Sequence, residues 1–162
     1  AQFCRNTGIQ LLSLGCSGNC KMQSYFADAL VNAPDIDAFI FDSFSNPTIE
    51  EIRERLFPFI EKLQGAHPGK PLIFQHTIYR ERRNFDLATE KNESERMRVV
   101  DELMAEAVKR YKDVYYVTTT NATSPKHDTS VDGTHPGDHG YSLWAESIQK
   151  PILKILRKYG IR

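Results

Sequence analysis

Asp37-Ala38-Phe39-Ile40-Phe41-Asp42, followed by Ser43-Phe44-Ser45-Asn46-Pro47-Thr48, decides the fold. The apolar run is too short for a helix, and a Ser/Asn/Pro turn follows it, so it reads as a strand buried on both faces. Thr48 can cap a helix after the turn, with Glu50 and Glu51 near the helix's positive end. That helix runs to about Leu63, with a kink or break expected near Phe57 because Pro58 lies inside it. Strand, loop and helix in this order form the repeating unit of a parallel sheet, whose strands need crossovers.

The same unit recurs on both sides. Upstream, Ile9 to Leu14 reads as a buried apolar strand ending at Gly15. A loop over Gly15–Asn19 leads into a helix over Lys21–Val31, with Met22, Phe26 and Leu30 on one stripe. Downstream, Pro71 to His76 is a further strand. Thr77 to Thr89 is a charged, irregular loop, long enough to suggest function, and His76 and Tyr79 could shape a pocket there. Glu93 to Tyr111 repeats Met97, Val100, Met104 and Ala107 at helical spacing. Val114 to Val117 is a fourth strand and Thr118 to Ser130 a polar loop. Asp138 can cap a last helix through Trp144 and Ile148, kinked at Pro151. Fourfold alternation predicts one α/β domain over residues 1–162, a three-layer α/β/α arrangement around a parallel sheet.

Composition narrows the function. The 162 residues suffice for one domain with a core, and 40% hydrophobic with 26% charged residues is a globular mixture. Twenty-one basic residues balance 21 acidic ones, which argues against nucleic acid as a partner. Arg80-Glu81-Arg82-Arg83 reads as solvated loop charge. No apolar run approaches the ~20 residues of a membrane span, and no signal peptide is visible, which leaves the compartment open. Cys4, Cys16 and Cys20 match neither a disulfide framework nor a zinc site, so buried thiols are expected.

The chemistry concentrates in Val131-Asp132-Gly133-Thr134-His135-Pro136-Gly137-Asp138-His139-Gly140. Its glycines and proline enforce a turn. Asp132 can accept the imidazole Nδ1–H of His135, leaving Nε2 to take a proton from a hydroxyl. In a parallel sheet this loop shares one rim with Gly15–Asn19 and Ser43–Pro47. The first of those offers backbone N–H groups from a glycine turn at a helix start, the second the amide of Asn46. A base, its orienting acid and two oxyanion donors are the parts of an acyl-transfer site. Two other readings compete. His127, Asp128, Asp132, His135, Asp138 and His139 hold metal-ligating atoms within thirteen positions. The strand–Gly15-x-x-Gly18–helix unit faintly echoes a dinucleotide fingerprint but lacks Gly-x-Gly-x-x-Gly.

Ser17-Gly18-Asn19, Asn46 and Asp132-Gly133-Thr134-His135-Pro136 resemble the blocks of the SGNH (GDSL-like) hydrolases. The string Leu14 to Met22 is similar to the esterase and acetylhydrolase branch. The resemblance implies a flavodoxin-like sheet and hydrolysis of a small or carbohydrate ester, such as an acetyl ester, with no cofactor, metal or membrane. It implies Gly18 and Asn46 as oxyanion donors, Asp132 as orienter and His135 as base. The family's serine block precedes the strand that Ile9 opens, and Ala1 to Gly8 contains no serine. The expectation is therefore a first strand and nucleophile outside this chain. A rearranged site using Ser17 and an inactive binding domain are the alternatives.

Overall fold

The computed structural model describes residues 1–118 and 129–162. Its elements are α1 (Gln2–Thr7), α2 (Ser24–Val31), β1 (Phe39–Phe41), α3 (Ile49–Ala66), β2 (Leu72–Gln75), α4 (Leu87–Arg110), β3 (Val114–Val117) and α5 (Asp138–Leu156). The strands pair in parallel in the order β1-β2-β3, with Phe39 opposite Leu72 and Leu72 opposite Val114.

Strand alternation divides the core in two. Phe39, Phe41, Leu72 and Phe74 face α2, α3 and α4 and pack with Leu56, Ile60 and Met104. Ile73 and Val117 face the other way, onto Phe3 of α1 and Ile148, Ile152 and Leu156 of α5. These are the three α/β/α layers expected from the alternation. Truncating a sealed residue such as Ile60 or Ile152 to Ala would cost roughly 2–5 kcal/mol.

Several elements differ from the sequence reading. Ile9–Leu14 forms no strand, and Leu11, Leu12 and Leu14 are 48%, 55% and 39% exposed. A strand needs a ladder partner, and among the described residues none pairs with it or with the free edge of β1. Helix α3 continues through Pro58 because Ile52 and Leu56 before it and Phe59, Ile60 and Leu63 after it are all buried. Its start is a capping box, with Thr48 and Glu51 each bonding the other's backbone N–H. Likewise α5 runs through Pro151.

Helix α4 begins at Leu87, earlier than its apolar stripe suggests, because the Asp86 carboxylate accepts the N–H groups of Ala88 and Thr89. The first turns it adds are exposed and carry no periodic signal. None of the three cysteines is buried, and Cys16 is exposed on its turn. Among the described residues no helix is long and apolar enough to cross a membrane.

Candidate active site

A cavity of about 720 Å³ opens beside the carboxyl ends of the strands, and its lining includes Gly18, Asn46 and His135. The three loops expected on one rim therefore meet there. Asp132 stands behind His135.

The Asp132–His135 turn is built by one carboxylate. Asp132 Oδ1 accepts from the N–H of Thr134 at 2.8 Å and of His135 at 2.7 Å. Asp132 Oδ2 lies 2.7 Å from His135 Nδ1. The imidazole hydrogen bond, followed by those two backbone donors, holds the Asp132 carboxyl well below the ordinary carboxylate range. An ionised carboxylate only accepts, so Nδ1 carries the hydrogen and Nε2 is left open.

Glycine lets this loop pack closely. Gly133 has φ +73°, and a Cβ there would meet Arg82 at 3.0 Å. Arg82 N–H also donates to the Gly133 carbonyl at 2.8 Å. At Gly140, in the first turn of α5, a Cβ would meet the Thr129 carbonyl oxygen at 2.7 Å. Asp138 is not the cap of α5; it occupies the first helical position, after Gly137, and makes no side-chain cap bond.

Asn46 is exposed, but the chain just before it is anchored. Phe44 is fully buried. Ser45 hydroxyl bonds that of Thr77, and its carbonyl accepts Arg80 Nη2 at 2.7 Å and Arg96 Nη1 at 3.1 Å. Both guanidinium groups also hold Glu93 Oε1, at 3.0 and 2.9 Å. The amide of Asn46 donates to no other described residue.

Gly18 sits at φ +70° on a turn closed by Asn19 N–H to the Cys16 carbonyl at 3.0 Å. Its own N–H has no partner among the described residues. The turn does not open a helix as expected, since α2 starts only at Ser24; any anion it binds is met by loop N–H groups without help from a helix dipole. Ser17, also on the lining, has no hydrogen bond to His135.

The loop after β2 contains what the sequence reading missed. Arg80-Glu81-Arg82-Arg83 is not simply solvated charge: Glu81 is buried, and Arg80 lines the cavity while paired to Glu93. The signal available was the length of that loop, not its charge pattern. Tyr79 instead bonds Asn84 and lies under Arg83, and His76 Nδ1 bonds the Thr77 carbonyl; neither lines the cavity. Asp42, at the end of β1, does line it. Its carboxyl is reachable by solvent but crowded by protein, and that desolvation, partly offset by Arg80, pushes it up to about 6.

Among the described residues no three metal-ligating side chains cluster. His127 and Asp128, two of the candidate ligands, lie outside the described residues; Asp138 and His139 are exposed.

The parallel sheet between layers of helices is the fold of the SGNH class of hydrolases. Residues 1–154 match the model of the GDSL-like lipase/acylhydrolase family, and the chain belongs to that family. Its fold is similar to that of a protein from Bacteroides ovatus described as a GDSL-like lipase, with TM-score 0.87 and 32% identity. That match covers 96% of this chain and 46% of the other. A salicylyl acyltransferase, SsfX3, from a tetracycline biosynthetic pathway shares the fold with TM-score 0.66 at 20% identity, over 94% of this chain and 47% of its own. The chain thus spans about half the length of the solved structures it matches. No curated protein sequence matches it.

Proposed function

We propose that this chain supplies the base and oxyanion donors of a serine-type ester hydrolase, and that the serine comes from a segment outside these 162 residues. The observation that carries the reading is the 2.7 Å bond from His135 Nδ1 to Asp132, with His135 lining the same cavity as Gly18 and Asn46. His135 Nε2 takes the serine proton as the oxygen attacks the acyl carbon. Asp132 keeps the ring in the Nδ1–H form and stabilises the imidazolium. Gly18 N–H and the Asn46 amide donate to the tetrahedral oxyanion. His135 then returns the proton to the leaving alkoxide, and water repeats the cycle on the acyl-serine. The route uses no metal.

Three observations support an external nucleophile. No described side chain hydrogen-bonds His135 Nε2. The cavity runs between Leu11–Leu14 and the free edge of β1, and adjoins a second of about 820 Å³ that shares Leu11, Ile40 and Gln75. Gln75 Oε1 and Trp144 Nε1, both on the lining, are buried without a described partner. A strand-like segment would satisfy them and pair with β1.

For substrate we propose a small acyl ester, with an acetylated carbohydrate as the chosen case. Tyr141 and Trp144, stacked at 6.1 Å on the lining, offer an aromatic face of the kind a sugar ring lies on.

The test is labelling, with a fluorophosphonate, of protein that carries the proposed outside segment, mapped by mass spectrometry, with His135→Ala as control. A label on a serine outside these residues, lost in the control, is the expected result. Modification of Ser17 would move the nucleophile onto this chain. Absence of any label would overturn the hydrolase reading.

A further inference from the structure

The base loop is held from behind by a charge that the dyad does not use. Glu81 is buried, yet its three arginine neighbours pair elsewhere: Arg80 with Glu93, Arg82 with Asp86 and Arg83 with Glu90. Its oxygens are satisfied instead by one dipeptide. Glu81 Oε1 accepts from Thr129 N–H at 2.8 Å and from the Thr129 hydroxyl, and Oε2 accepts from Ser130 N–H at 3.1 Å. A buried carboxylate is tolerated only when it is hydrogen-bonded this fully.

That dipeptide is the root of the base loop. The Thr129 carbonyl accepts Gly137 N–H at 2.8 Å, and Ser130 bridges to Pro136, closing the loop at both ends. The Ser130 hydroxyl reaches Asp132 Oδ1 at 3.2 Å. A continuous set of bonds therefore runs from Glu81 through Ser130 to Asp132 and His135.

We propose that Glu81 is a positioning residue: through Thr129 and Ser130 it holds Asp132 against His135 Nδ1, and so keeps Nε2 free to accept a proton. This rests on the Asp132–His135 reading above. Glu81→Gln keeps one acceptor oxygen but turns an NH₂ group toward Ser130 N–H, so the dipeptide loses a partner.

Two-bond ¹H–¹⁵N spectra of the histidine rings report the tautomer directly. They are recorded on the purified protein at a pH above which the ring signals no longer move. His135 is expected as the Nδ1–H form, and Asp132→Asn should abolish that preference. If the wild-type ring shows no such preference, or Asp132→Asn leaves it unchanged, the dyad reading itself falls. With the dyad established, Glu81→Gln should lose the Nδ1–H preference while the amide signals of Leu72–Gln75 stay in place. A wild-type tautomer in folded Glu81→Gln, even with a lowered melting temperature, overturns the positioning role and leaves the dyad standing. Should Glu81→Gln fail to fold, Thr129→Val decides, since it removes only the hydroxyl donor. A partial shift of tautomer supports the proposal and an unmoved one overturns it.

Discussion

The loop carrying Asp132 and His135 and the turn carrying Gly18 line one cavity but are held by different means. The first is braced from outside itself: Glu81 grips its root, Arg82 packs on Gly133, and α5 presses Gly140 onto Thr129. The second is held by its own short bonds, such as Asn19 Nδ2 to the Ser17 carbonyl at 2.9 Å, and follows a stretch of exposed leucines. Catalysis needs a base and an oxyanion donor at fixed separation, since a misplacement of about 1 Å can cost 10²-fold. One side of this site is positioned by described contacts and the other is not. The edge of β1, unpaired among the described residues, lies beside that second side.

The sharpest way to break this comparison is to remove the braced chemistry. In protein carrying the nucleophile, His135→Ala should abolish ester turnover, and Asp132→Asn should lower kcat by about 10⁴-fold through the wrong tautomer. Initial rates on an acetyl ester measure both, and retained kcat in either would remove that residue's role. Asn46→Ala comes next, with kcat lower by ~10²–10³-fold if its amide meets the oxyanion. A rise in KM alone would make Asn46 a substrate contact instead.

Stability sharpens the contrast without reference to turnover. Gly140→Ala drives a Cβ into the Thr129 carbonyl at 2.7 Å, so it should cost roughly 1–3 kcal/mol in denaturant unfolding. Leu12→Ser, on the unbraced side and 55% exposed, should stay within about 0.5 kcal/mol. Equal effects would mean that the two sides are held alike.

The smallest expected effect is a pH dependence at the cavity. Asp42 is raised to about 6 from the ordinary 3.8, so the folded state binds its proton more tightly than the unfolded chain does. The penalty for ionising it is absent below pH 3.8, grows as pH rises toward 6 and is complete above. Asp42→Asn should therefore raise the melting temperature at pH 7 and leave it unchanged near pH 3.5. The Asp132 carboxyl has the opposite sign. Being depressed, it contributes stability that is present above the ordinary carboxylate value and lost only in strong acid. If Asp42→Asn shifted the melting temperature equally at both pH values, the effect would come from packing and not from charge.

Much of this molecule was legible in local pattern. Short apolar runs gave β1, β2 and β3, and the stripe through Met97, Val100 and Met104 gave α4. Asp132-x-x-His135 was readable because one carboxylate can bond its own turn and a ring three residues on, with no long-range help. Patterns misled where a partner was needed. Ile9–Leu14 has the composition of a buried strand, but a strand exists only against a neighbour. Pro58 has the composition of a break, but five buried side chains hold α3 across it.

Sequence by itself therefore determined the α/β layering and the hydrogen-bonded Asp132–His135 turn, since both follow from periodicity and short-range bonding. Tertiary structure alone decided that Glu81, in a run of arginines, would be buried and clamp Thr129 and Ser130. It also decided that Arg80 and Arg96 would converge on Ser45. Those depend on groups far apart in the chain, whose desolvation and pairing no local window contains.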